Sequence, residues 1–196
     1  MKLSPRLAIF AATALVFPAL AHAHPGHEGH ELTWDFGAGL VHPLSGLDHL
    51  LAMVAVGLLA AQLGGRARWQ VPAAFVGVMA LGGAIGRAGL VVPGLEQGIA
   101  ASVLVLGLLV ATATRLPVAA GMALAGGFAV FHGVAHGAEM PAAAGGLGYG
   151  SGFVTATALL HAAGVGLGLL AGRVSTRATR LAGWGVAAAG AMMLAV

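Results

Sequence analysis

Two short apolar stretches of this 196-residue chain each hold three ionisable side chains: His42, Asp48 and His49 in HPLSGLDH, and His132, His136 and Glu139 in FHGVAHGAE. Imidazole suits nickel, zinc, copper and iron, and carboxylate adds an oxygen donor for the same first-row divalent ions. The chain has no cysteine, which excludes thiolate sites, disulfides and thiol redox motifs. Sodium or potassium would call for carbonyl oxygens, and magnesium mainly for carboxylates and water. A lone imidazole in an apolar helix is more often a hydrogen-bonded packing residue than a ligand. Six ionisable groups in two motifs need a joint explanation. His161, alone in another apolar stretch, is a candidate on depth only.

The spacing aligns these groups on helices. His132, His136 and Glu139 stand at i, i+4 and i+7, which places imidazole, imidazole and carboxylate on one stripe. His42 and His49 are also seven apart, but Asp48 falls roughly 120° away on an ideal helix. Three readings of Asp48 stand open. It faces a neighbouring helix, or Pro43 and Gly46 bend the segment and bring it round, or its carboxylate accepts the free N–H of a metal-bound histidine.

The elements that must hold these groups are membrane helices. Of the residues 59% are apolar and 8% charged, far from a soluble domain, and the 33 glycines are dispersed among Ala, Leu and Val as in packed transmembrane helices. Apolar stretches at Phe36–Leu63, Trp69–Gly86, Leu95–Thr114, Val118–Gly137, Leu147–Gly172 and Ala178–Val196 predict an all-α polytopic membrane protein with six transmembrane helices. Lys2 and Arg6 before the apolar run Leu7–Leu20, with Ala21 and Ala23 beyond it, predict a cleavable signal peptide over 1–23. A His-rich external segment over 24–35 follows, then a single transmembrane domain over 36–196. In that segment His24, His27 and His30 could gather metal.

Arginine placement gives an orientation. The first, third and fifth connections carry Arg66 and Arg68, Arg115, and Arg173, Arg177 and Arg180, whereas the second and fourth carry only Arg87. By the positive-inside rule the odd connections are cytoplasmic, and the mature N-terminus and the C-terminus lie outside. With a straight first span, His42 lies roughly 9 Å and His49 roughly 20 Å from the outer surface, His161 at about the depth of His49, and Glu139 at the outer mouth. Small residues at Gly82/Gly86, Gly133/Gly137, Gly146/Gly150 and Gly164/Gly168 allow close helix approach. At Gly133 and Gly137, each following a histidine, such approach would also bring ligands of two helices together.

The two motifs resemble the signatures of the HupE/UreJ family of nickel permeases, HX5DH in the first span and FHGX(A/V)HGXE in a later one. His42, Asp48 and His49 match the first, and Phe131, His132, Gly133, Ala135, His136, Gly137 and Glu139 the second. The resemblance extends over nearly the whole chain, with no departure inside the motifs. It implies nickel uptake across a bacterial cytoplasmic membrane for hydrogenase or urease maturation, with cobalt carried by some relatives, and it implies that the six motif residues handle the metal. The expected partners are the divalent ion as cargo and the lipid bilayer, with no tightly bound cofactor and no nucleic acid; homo-oligomerisation is left open. Competing readings are a haem-binding electron carrier and an accessory subunit that gathers metal. A membrane enzyme is disfavoured: in GYGSGF, Tyr149 replaces the first Gly of the serine-protease G-x-S-G pattern, and Ser151 stands roughly 15 Å by helical rise from His161. No P-loop is present for ATP hydrolysis.

Overall fold

The computed structural model describes residues 34–142 and 144–195, so the expected signal peptide and the histidines His24, His27 and His30 lie outside the described residues. What is described is all helix, with no strand: α1 (Trp34–Ser45), α2 (Leu47–Leu63), α3 (Ala67–Arg87), α4 (Leu95–Ala111), α5 (Val118–Glu139), α6 (Gly146–Val174) and α7 (Thr176–Leu194). In hydrocarbon this is the expected outcome, because a helix satisfies its own backbone.

The first span is two helices. Between α1 and α2 the axis turns by 84°, and Gly46 at the joint is extended (φ −99°, ψ 120°). Pro43 withholds one N–H from α1, and the Ser45 hydroxyl donates to the His42 carbonyl (2.6 Å), satisfying an acceptor the break exposes. A methyl on Gly46 would stand 2.8 Å from Asp48 Oδ1 and 3.2 Å from His49 Nδ1, so glycine leaves the room these two side chains occupy. The straight-span depths for His42 and His49 therefore do not hold: they sit on separate helices.

Helices α3, α5 and α6 are long and apolar enough to cross a membrane, and the bent α1–α2 pair makes a fourth candidate. The apolar α4 has 17 residues, a rise of about 26 Å against a hydrocarbon core of roughly 30 Å. In α7, Arg177 and Arg180 in the first turns and a body rich in Ala and Gly dilute the apolar character.

The tightest pairings are α3 with α5, α4 with α7, and α2 and α1 with α6. Glycines make them possible: a methyl on Gly133 would strike the Met79 carbonyl, one on Gly86 the Val134 carbonyl, and Gly57 and Gly107 stand likewise against α6 and α7. The Gly133/Gly137 face meets glycines of α3, not a second set of ligands; the histidines point the other way, toward α1 and α2. Gly150 has nothing near it and serves no crossing. The core is built on Met53, Val56, Leu59, Phe75, Met79, Val103 and Leu106, all buried, while Leu81, Leu147, Leu181 and Met192 are exposed, as suits a surface bathed in lipid.

Candidate metal centre

The α5 stripe forms as its spacing predicts and faces the α1–α2 elbow. His42 Nε2 lies 2.9 Å from Glu139 Oε2, and one donor atom each from His42, His136 and Glu139 all fall within 4.8 Å of one another. Two donors bound trans on one first-row ion stand about 4.2 Å apart, at about 2.1 Å each. Closing the trio on an ion thus takes shifts of a few tenths of an ångström.

From this trio the imidazoles continue inward without a gap. Ring centroids are 4.8 Å apart for His42 and His136, 4.2 Å for His136 and His49, and 4.8 Å for His49 and His132. Exposure separates the two ends: the Glu139 side chain is 50% and that of His42 27% exposed, whereas His136, His49 and His132 are all buried, His132 completely. All six motif residues contribute to this row, Asp48 through His49.

Hydrogen bonds set which nitrogen each ring offers. An ionised carboxylate only accepts, so the Glu139 contact places a proton on His42 Nε2 and leaves Nδ1 with its lone pair in the neutral ring. Asp48 Oδ1 accepts from the His49 backbone N–H (2.7 Å) and from His49 Nδ1 (2.8 Å), leaving His49 Nε2 bare, buried and without a partner. Of the three readings of Asp48, this geometry is the carboxylate that holds its neighbour's ring. Ser102 on α4 treats His132 alike. Its hydroxyl donates to the Ile99 carbonyl (2.6 Å), which can only accept, so it must accept from His132 Nε2 (2.9 Å), and His132 Nδ1 is left bare and unpartnered. His136 differs: neither of its nitrogens has a partner.

Sequence reasoning missed Ser102, whose one signal was a hydroxyl inside GIAASVLVLG. It also missed Phe75, packed 5.5 Å from His132 and 5.1 Å from His161 between ring centroids, and Tyr149, whose buried hydroxyl is unpartnered and whose ring is 5.8 Å from His42. His161 is not in the row. It is 1% exposed, has no hydrogen-bond partner, and presses against the Phe75 ring. Ser151 is spent on the Gly148 carbonyl (2.8 Å), in keeping with its exclusion as a nucleophile. A cleft of about 490 Å³ between α3, α5 and α6 also touches His136, but its walls carry Arg87 and no carboxylate, so it would not draw a dication.

Imidazoles and carboxylates brought together by apolar helices make this a candidate metal centre in an all-helical membrane protein. The HupE / UreJ protein family matches residues 12–193. Protein HupE of Rhizobium leguminosarum bv. viciae is 48% identical over 183 residues, which cover 92% of this chain and 93% of that protein. No solved structure matches. The chain belongs to the HupE/UreJ family, a family of transporters and not of enzymes, and its role is accordingly one related to nickel or cobalt transport.

Proposed function

We propose that the chain is a secondary permease that brings Ni2+ into a bacterial cell across the cytoplasmic membrane, to supply hydrogenase or urease maturation. The single observation that supports this most is the unbroken row of four imidazoles running from the half-exposed Glu139–His42 pair to the fully buried His132. Intramembrane ionisable groups are costly and mark ion pathways, and this row offers a nitrogen donor at each step.

In this reading the hydrated ion loses water at Glu139, His42 and His136. Because His136 has neither nitrogen engaged, it can turn between His42 on one side and His49 on the other, and so hand the ion on. His49 Nε2 and His132 Nδ1, held ready by Asp48 and Ser102, receive it next. Phe75 packs against both His132 and His161 beyond the inner end of the row. The bent α1–α2 pair counts as one span and α4 and α7 complete six, with the four acidic helix ends outside and the arginine-bearing connections in the cytoplasm. His24, His27 and His30 gather the ion on the outer side. The cation is cargo and there is no resident cofactor. A dication moving inward gains roughly 4.6 kcal/mol per 100 mV of membrane potential, which can drive uptake without ATP.

The test is radioactive nickel uptake into proteoliposomes by the wild type, His49→Ala and His136→Ala. The variants are expected to lose at least nine-tenths of the flux, about the cost of one lost metal ligand or its support. Equal flux in all three would remove the pathway. Cobalt outcompeting nickel at equal concentration would change the substrate and leave the pathway standing.

A further inference from the structure

At the end of the bundle opposite the carboxylates, Arg68 of α3, Arg115 of the α4–α5 connection, Arg173 of α6 and Arg180 of α7 converge on one cavity of about 550 Å³. None of the four described acidic residues is there: Asp35, Asp48 and Glu96 lie in the first turns of α1, α2 and α4, and Glu139 ends α5, all at the other end. Two positions are held rigidly, since Arg180 Nε donates to the Ala111 carbonyl (2.8 Å) and the Gln62 amide donates to the carbonyls of Leu109 (3.1 Å) and Thr114 (2.9 Å). Thr176 and Thr179 add hydroxyls, and Gly168 and Leu169 give an apolar flank.

Orienting the chain in a membrane needs positive charge in these connections but no convergence. Arg66 and Arg177 belong to the same connections and do not line the cavity, so topology alone would be served without the cluster. The four guanidiniums are exposed and have no described carboxylate beside them, so their joint field favours an anion in the cavity, and guanidinium presents paired donors that match phosphate oxygens. The space exceeds what a single phosphate group fills, and the apolar flank beside it suits the start of an acyl chain. Basic pockets between transmembrane helices on the cytoplasmic side are where anionic headgroups bind. We propose that this cavity binds the phosphate of an anionic phospholipid headgroup, clamping the ends of α3, α4, α6 and α7 together at the face opposite the metal entrance.

The test uses the full chain in neutral detergent, with lipids retained through delipidation counted by native mass spectrometry after exposure to cardiolipin, to phosphatidylcholine or to inorganic phosphate. Each arginine beside an anionic surface contributes on the order of fivefold in affinity. Arg115→Gln with Arg173→Gln is therefore expected to weaken cardiolipin retention by about thirtyfold. Arg66→Gln with Arg177→Gln, which removes the same charge at the same end, is expected to retain it as the wild type does. Equal loss in both pairs, no loss in the cavity pair, or a wild type that holds phosphatidylcholine as well as cardiolipin would overturn the proposal. Displacement of cardiolipin by millimolar inorganic phosphate would overturn the lipid assignment in favour of a soluble anion. Should the cavity pair fail to fold, the wild-type comparison of the three ligands decides alone.

Discussion

At the scale of single residues, three side chains do for three imidazoles what a metal site requires: Glu139, Asp48 and Ser102 each accept a ring proton and leave the opposite nitrogen bare. Partners of this kind typically contribute tenfold to a hundredfold in metal affinity. Ser102→Ala should therefore raise the nickel concentration for half-maximal uptake by about tenfold or more, and Ser102→Thr, which keeps the hydroxyl, should restore it. A packing role alone would not distinguish the two hydroxyl-bearing variants from alanine in this way. Nitrogen NMR of 15N-histidine protein gives a second reading: the His132 ring should lose its single-tautomer signature in Ser102→Ala. The i, i+4, i+7 stripe of α5 was legible in the sequence because helix geometry follows from spacing alone. Ser102, Phe75 and Tyr149 were not legible, because a lone hydroxyl or aromatic ring in an apolar run carries no pattern, and only the packing of α4, α3 and α6 against α5 and the elbow gives it a partner.

At the scale of elements, the elbow between α1 and α2 decides the site. A proline within a helical run either kinks the helix or is absorbed in it, so Pro43 and Gly46 left the bend undecided in the sequence. The structure turns the chain by 84° at Gly46 and brings His42 over Glu139 while His49 enters the bundle. Since a methyl at Gly46 would contact Asp48 Oδ1 at 2.8 Å, Gly46→Ala should displace that carboxylate and mimic Asp48→Asn. Both variants are expected to lose nickel affinity by about tenfold to a hundredfold, with little change in thermal stability. A strong affinity loss in Asp48→Asn beside an unaffected Gly46→Ala would show that the glycine serves no such role. Repeated glycines announced close crossings, and these occur at Gly82/Gly86, Gly133/Gly137 and Gly164/Gly168 but not at Gly146/Gly150. Which face they join could not be read, since any glycine pair on α5 had several partners to choose from.

At the scale of the whole molecule, the alternation of helices segregates charge: the four described carboxylates lie at one end of the bundle with Arg87 alone among the described arginines, and the other six described arginines at the opposite end. Composition made the membrane class plain, and the all-helical fold followed from continuous apolar stretches of about 20 residues, the length of a spanning helix. Number of spans was less legible, since α4 is short and α7 is diluted by Arg177 and Arg180. The absence of native cysteine allows the orientation to be checked directly. In intact cells a membrane-impermeant maleimide should label Val91→Cys, in the connection after α3, and spare Ala113→Cys, in the connection after α4; the reverse pattern would invert the topology.

Above all, a dication must rest on nitrogen donors from both the elbow and α5. X-ray absorption at the nickel edge of the purified, nickel-loaded chain should show a shell of N/O donors at about 2.1 Å with the scattering of imidazole rings, and that ring scattering should diminish in His42→Ala and in His136→Ala. A nickel shell without imidazole scattering, or one unchanged in both variants, would contradict the account.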